Sequence, residues 1–239
     1  MPHKLLPYLI ALLLLASTVS GTTKPVDDNQ IIPGERVGIL TKNTTEKELQ
    51  RQLPAHSIRR ILYDEGEGPI VCATEIFPDS NKSAVIVWRD NRGVYTDDKN
   101  GRTANEKCNA APAFSKPDYV VIWRDAWRTQ NGARIGMNLR ELEKANRKAI
   151  TFLSCECCGD GGVVDWGSGT LSGSIYSDLD GSVSPTLGMQ LNYFEVKSSV
   201  SEYRKNGNVV STDLSIGIKK KIKISQITVN FKRGKFADS

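Results

Sequence analysis

The chain has 239 residues, 39% hydrophobic and 25% charged, with a formal net charge of +5. Wholesale disorder is excluded by that apolar share, and the net charge is mild. The length suits one large or two small domains with a real core.

Residues 1–21 read as a secretory signal peptide. Lys4 supplies the positive start, Leu5 to Ala16 form a nearly unbroken apolar run, and Ser17 to Gly21 are the small-residue exit. The run falls short of the roughly 20 residues that span a bilayer, so cleavage and no stable membrane insertion are expected. No cysteine follows it, so the bacterial lipoprotein pattern is missing. Residues 22–30, with Pro25 and two aspartates, read as a flexible leader. Order is expected from Ile31 in two α+β halves, 31–117 and 118–239.

Gly34-Glu35-Arg36-Val37-Gly38 and Gly132-Ala133-Arg134-Ile135-Gly136 share the pattern G-x-R-[V/I]-G, and each precedes a helix signal. In the first, Thr45 and Glu48 have capping-box spacing and Leu49 and Leu53 share a face. In the second, Asn138 and Glu141 repeat the spacing, with Leu139, Leu142 and Ala145 as the buried stripe. The helices should end near Pro54 and Asn146. Strand patterns follow at Ile58–Tyr63, Ile70–Phe77, Ala84–Trp88, Ala149–Leu153, Val163–Trp166 and Thr170–Tyr176.

Val85-Ile86-Val87-Trp88-Arg89-Asp90 is echoed by Val120-Val121-Ile122-Trp123-Arg124-Asp125, a second hint of duplication. Between them, 91–117 reads as a long loop tied down by Cys108. Near the end, Met189, Leu191 and Tyr193 alternate, as do Ile222 and Ile224. A slip at Ser225-Gln226, where a β-bulge would fall, precedes Ile227, Val229 and Phe231. The fold class expected is α+β: antiparallel sheet with two short helices, a divergent tandem repeat.

Ile135-Gly136-Met137-Asn138-Leu139-Arg140-Glu141-Leu142 is similar to the opening of the small helix-plus-sheet domains of β-lactamase inhibitor proteins and of small outer-membrane assembly lipoproteins. The resemblance implies single or tandem α/β units that bind other proteins and carry no catalysis. Here Gly136 permits the sharp entry, Asn138 caps the helix, and Met137 and Leu142 anchor it to the sheet.

The candidate sites begin with five cysteines, Cys72, Cys108, Cys155, Cys157 and Cys158, all in the exported part, where disulfides are favoured. An odd number leaves one thiol over. Cys72 with Cys108 is one possible bridge, and a clustered cysteine could take either of them instead. Metal binding by Cys155, Cys157 and Cys158 lacks the paired spacing of zinc sites, and the C-x-x-C spacing of Cys155 and Cys158 lacks a thioredoxin-like setting. His56 is the sole histidine after the signal, and no G-x-S-x-G accompanies it. Asp178-Leu179-Asp180-Gly181 fails the calcium-loop template, since Tyr176 and Leu187 stand where carboxylates are needed.

Trp88, Arg89, Trp123, Arg124 and Trp127 are the binding candidates, because Trp and Arg most often anchor interfaces. Core packing of the tryptophans, with the arginines paired to Asp90 and Asp125, is the competing reading. Lys219, Lys220, Lys221, Lys223, Lys232, Arg233 and Lys235 crowd the C-terminal end. They read as a solvated face or a charged edge strand, or as a patch that meets anionic lipid, polysaccharide or an acidic protein. Together the residues point to a periplasmic or secreted, non-catalytic binding or inhibitory module without cofactor. Its partner is another envelope or secreted protein and not nucleic acid, and its oligomeric state is left open. The alternative is a metal or thiol-redox role at the cysteine cluster.

Overall fold

The computed structural model describes residues 28–65, 70–91, 102–154, 161–172, 175–177 and 183–231. Residues 1–21, read above as a signal peptide, most of residues 22–30, Cys155, Cys157, Cys158, the Asp178–Gly181 segment, and Lys232, Arg233 and Lys235 lie outside them.

The chain opens with three short strands, β1 (Gln30–Ile32), β2 (Arg36–Val37) and β3 (Leu40–Thr41), before helix α1 (Glu46–Gln52). Gly34, at φ 75°, supplies the left-handed turn that folds β2 back on β1, and Gly38, at φ 54°, the one that folds β3 back on β2. Thr45 and Glu48 form the capping box of α1. Three long strands follow: β4 (Ile58–Asp64), β5 (Ile70–Ile76) and β6 (Ala84–Trp88).

Next come α2 (Arg102–Ala110), β7 (Pro117–Ile122), β8 (Arg128–Thr129) and α3 (Leu139–Asn146). Asn138 and Glu141 make a second capping box, and Gly136 enters it at φ 81°. The last third holds β9 (Thr151–Leu153), β10 (Val163–Asp165), β11 (Ile175–Ser177), β12 (Val183–Pro185) and β13 (Leu187–Leu191). It closes with α4 (Tyr193–Val200), β14 (Asn208–Val210), α5 (Ile216–Lys221) and β15 (Ile224–Asn230).

The organising element is an antiparallel six-stranded sheet in the order β13-β15-β7-β6-β5-β4. β1 pairs with β2 and, in parallel, with β8, while β9 pairs with β10 and β14. The fold is α+β.

Strand alternation gives the large sheet two unlike faces. The inner face carries Ile76, Ile86, Val120, Ile122, Ile227 and Val229 and packs with Leu49 of α1 and Leu139 and Leu142 of α3 into the main core. Each such side chain contributes roughly 1.5–3 kcal/mol by leaving water. The outer face holds a smaller cluster of strand residues alone: Val71, Ala73, Val85 and Val87, with Ile61, Tyr63 and Tyr119 packed against them.

Several expectations change. The structure has α2, α4 and α5 beyond the two helices foreseen. Residues 102–110, assigned to a long loop, are helical; the buried positions of α2 are Ala104 and Cys108, a stripe four residues apart and too thin to see in a polar stretch. Met189–Tyr193 alternates in sequence, yet the strand stops at Leu191 and Tyr193 begins α4. A boundary at 117 falls at the first residue of β7, which pairs with β6 on one side and β15 on the other. The two echoed segments are thus neighbouring strands, with Val85 opposite Val121. Gln190 pairs with Gln226 and Leu191 with Ile224, so Ser225 is the extra residue of a bulge where the sequence slips.

Candidate functional site

Adjacent arginines of β4 face opposite ways. Arg60 shares the inner face with Ile58 and Leu62, a charge in an apolar register, and its partner is Glu46, fully buried at the start of α1. Arg60 Nε donates to Glu46 Oε1 at 3.0 Å and an Arg60 terminal nitrogen to Oε2 at 2.6 Å. The carboxylate also accepts from the Thr74 hydroxyl at 2.9 Å and the Phe114 N–H at 3.2 Å. Trp88 Nε1 donates in turn to Thr74 Oγ1 at 2.9 Å.

The remaining guanidinium donors reach the carbonyls of Cys108 (2.8 Å), Asn109 (3.2 Å), Ala111 (2.7 Å) and Pro112 (3.0 Å). Arg60 thereby satisfies the exposed end of α2, whose last-turn carbonyls have no partner within the helix. Phe114 lies under the guanidinium at 5.0 Å and stacks on Trp88 at 5.9 Å. A guanidinium has five N–H donors, and here all are committed.

Beside this network lies a cleft of about 310 Å³, lined by Glu46, Gln50, Ile58, Arg59, Arg60, Asn109 and Ala111. Its two arginines are occupied, Arg60 as above and Arg59 with Glu75 at 2.7 Å. Arg60 therefore has no donor left for an anion in the cleft.

Cys72, also on the inner face, is bonded to Cys108 of α2, with Cα atoms 5.4 Å apart and both residues buried. The bridge and Arg60 hold α2 against β4 and β5. With those two cysteines joined to each other, neither is available to Cys155, Cys157 or Cys158. On either side of that segment in sequence, β9 pairs with β10, and Gly161 N–H donates to Leu153 O at 2.9 Å.

The tryptophans separate by strand parity. Trp88 and Trp127 are each 1% exposed, the latter donating from Nε1 to Lys82 O at 3.0 Å. These two binding candidates are core residues. Trp123 directly follows inward-facing Ile122, so alternation turns it outward, 38% exposed, with Nε1 bonded to Gln226 Oε1 at 3.0 Å. Tyr63 of β4 lies 6.0 Å from its ring.

Tyr119 joins them on the same face and donates its hydroxyl to Glu65. Burial, with Glu65 accepting that bond, holds the Tyr119 phenol far above its ordinary range, and burial raises Tyr63 as well. Both rings are neutral donors at physiological pH. Arg124 beside Trp123 is exposed, without an ion-pair partner among the described residues. Arg89 pairs with Asp118 at 3.1 Å in place of Asp90, which accepts from Ser115. His56 is exposed in a 3₁₀ turn, with no hydroxyl or thiol bonded to it among the described residues. Among those residues no cluster of His, Cys, Asp or Glu could hold a metal ion.

Sequence reasoning missed the Glu46–Arg60 pair. The available signal was Arg60 itself, standing between Ile58 and Leu62 in the inward register of β4.

No family model and no curated protein matches the chain. Among solved structures it is similar to the crystal structure of the uncharacterized protein yfeY from Escherichia coli, at 13% identity over 87% of this chain and 99% of that one. The TM-score is 0.35, a likeness too slight to bear on fold or function.

Proposed function

We propose that the mature chain is an exported, non-catalytic binding or inhibitory module of the cell envelope whose contact surface is centred on Trp123. The observation that carries this reading is the exposed indole of Trp123 beside Tyr63, on a sheet face whose apolar cluster contains strand residues alone. A half-exposed tryptophan held by one side-chain hydrogen bond has the amphipathic character of an interface anchor. Export is supported by the signal-like start and by the Cys72–Cys108 bridge, a bond that persists in oxidising compartments. No helix of the described residues is long and apolar enough to cross a membrane.

The test uses mature protein as bait in envelope extract, with Trp123→Ala alongside. A partner retained by the wild type and lost by the variant, at equal melting temperatures, supports the module. Equal retention by both, or by neither, overturns the reading.

A second reading, metal binding or thiol redox at Cys155, Cys157 and Cys158, gains from one observation. The Cys72–Cys108 bridge leaves these three cysteines only one another as partners within the chain. Thiol titration and elemental analysis of native protein decide it: a single free thiol that does not cycle, with no bound metal, removes it.

A further inference from the structure

Helices α3 and α5 pack side by side, locked by Lys219, which reaches the Glu143 carboxylate at 2.9 Å with both side chains largely buried. Arg140 and Lys144 are four residues apart on α3 and share a face, and Arg147 follows at its left-handed C-cap. Glu143, one residue before Lys144 on a neighbouring flank, is the side chain that turns to Lys219 of α5. On α5, Ile216 and Lys220 are likewise four apart on the outward side, and Lys221 follows. All six side chains are exposed, Ile216 by 60%.

Acidic neighbours do not neutralise this surface. Glu141 is taken up by the Asn138 cap, Glu143 by Lys219, and Asp213 just before α5 by Lys205. Helix α5 has no acidic residue. Among the described residues, no carboxylate lies within ion-pair distance of Arg140, Lys144, Arg147, Lys220 or Lys221.

We infer that this two-helix surface docks on an anionic lipid bilayer. Five unpaired cations complement the negative headgroup plane, each strengthening adsorption about fivefold. Ile216 decides between anionic partners. A soluble acidic polymer would satisfy the cations yet leave a large exposed aliphatic side chain with nothing to enter, whereas the headgroup and acyl boundary accommodates both. The contact is peripheral: the cations stay at headgroup level and no helix crosses. It is separate from the Trp123 surface and does not depend on it.

The experiment floats the full mature chain with vesicles of phosphatidylcholine, alone or with phosphatidylglycerol added. Binding is expected on the mixed vesicles only, falling as salt is raised. Arg140→Glu/Lys144→Glu/Lys220→Glu should weaken it by a hundredfold or more, on the basis of about fivefold per charge removed. Ile216→Ser should weaken it several-fold while leaving the salt slope unchanged, a split that a purely coulombic contact does not give. Lys144→Gln/Lys220→Gln provides the same test in a form that melts like the wild type, and Lys42→Glu, in the turn ahead of α1, should bind normally. Equal binding to neutral vesicles overturns the inference, as does undiminished binding by the double Gln variant. Capture by polyglutamate with no vesicle binding assigns the surface to an acidic polymer and overturns it too.

Discussion

Arg59 and Arg60 are neighbours in β4 and live in different electrostatic worlds. Arg59 is half exposed on the outer face and reaches Glu75 at 2.7 Å and Asp79 at 3.5 Å. Arg60 is 13% exposed on the inner face, and its partner Glu46 is 1% exposed. The same division separates Trp88, buried and bonded to Thr74, from Trp123, exposed and bonded to Gln226. One step of strand parity thus decides whether a side chain holds the fold together or faces a partner. On the inner face removal of one group strands another, whereas on the outer face water fills in.

The comparison is broken most severely by Arg60→Ala, which leaves the Glu46 carboxylate buried without its cation and the end of α2 without its donors. The expected loss is about 3–5 kcal/mol in chemical denaturation. A double change of Glu46 and Arg60 to Met should recover most of it, because two apolar groups leave no stranded charge. If Arg60→Ala melts like the wild type, the two faces do not differ as argued.

Next in size is the pair of tryptophans. Trp88→Ala should cost about 3–5 kcal/mol through the cavity it opens, while Trp123→Ala should cost about 1 kcal/mol or less, since water already reaches the indole. Paired thermal melts of the two variants measure the contrast directly. Replacing Cys72 and Cys108 with Ala and Val should cost roughly 2–4 kcal/mol, in line with release of a loop spanning 36 residues. Arg59→Ala should fall within about 1 kcal/mol and shrink further as salt is raised, the behaviour of a screened surface pair.

The smallest effect concerns pH. Asp28 is held by Arg36 at 2.7 Å, and this bond draws its carboxyl down from 3.8 to about 2. A carboxyl lowered in the folded state favours folding wherever it is ionised. Its contribution is complete above about pH 4 and disappears as pH falls through about 2. In Asp28→Asn that acid-side component should be absent, which melts between pH 2 and 5 would register.

Legibility followed sequence distance. Thr45 with Glu48 and Asn138 with Glu141 were readable because both members of each capping box lie three residues apart. The span of β6 and the bulge at Ser225 were readable because strand parity is local. Residues 102–110 were not, since α2 has a stripe of only Ala104 and Cys108 and derives its stability from the disulfide and from Arg60. Helix α4 was hidden by the apolar alternation through Tyr193, which tertiary packing overrides. For α5 the sign was present in Ser215, whose hydroxyl accepts from Ile218 N at 3.4 Å, but the lysines that follow gave no apolar stripe to go with it.

By itself, then, the sequence determined the two capping boxes, the parity of the long strands β4 to β6 and the residues on them that must choose a side of the sheet. Only the tertiary structure decided that Trp123 faces outward and Trp88 inward, that Glu46 meets Arg60, and that strands from both halves close into one sheet. The physical reason is range. Caps and alternation are satisfied within a turn or a strand, whereas a buried charge or an indole finds its partner only after distant segments have packed.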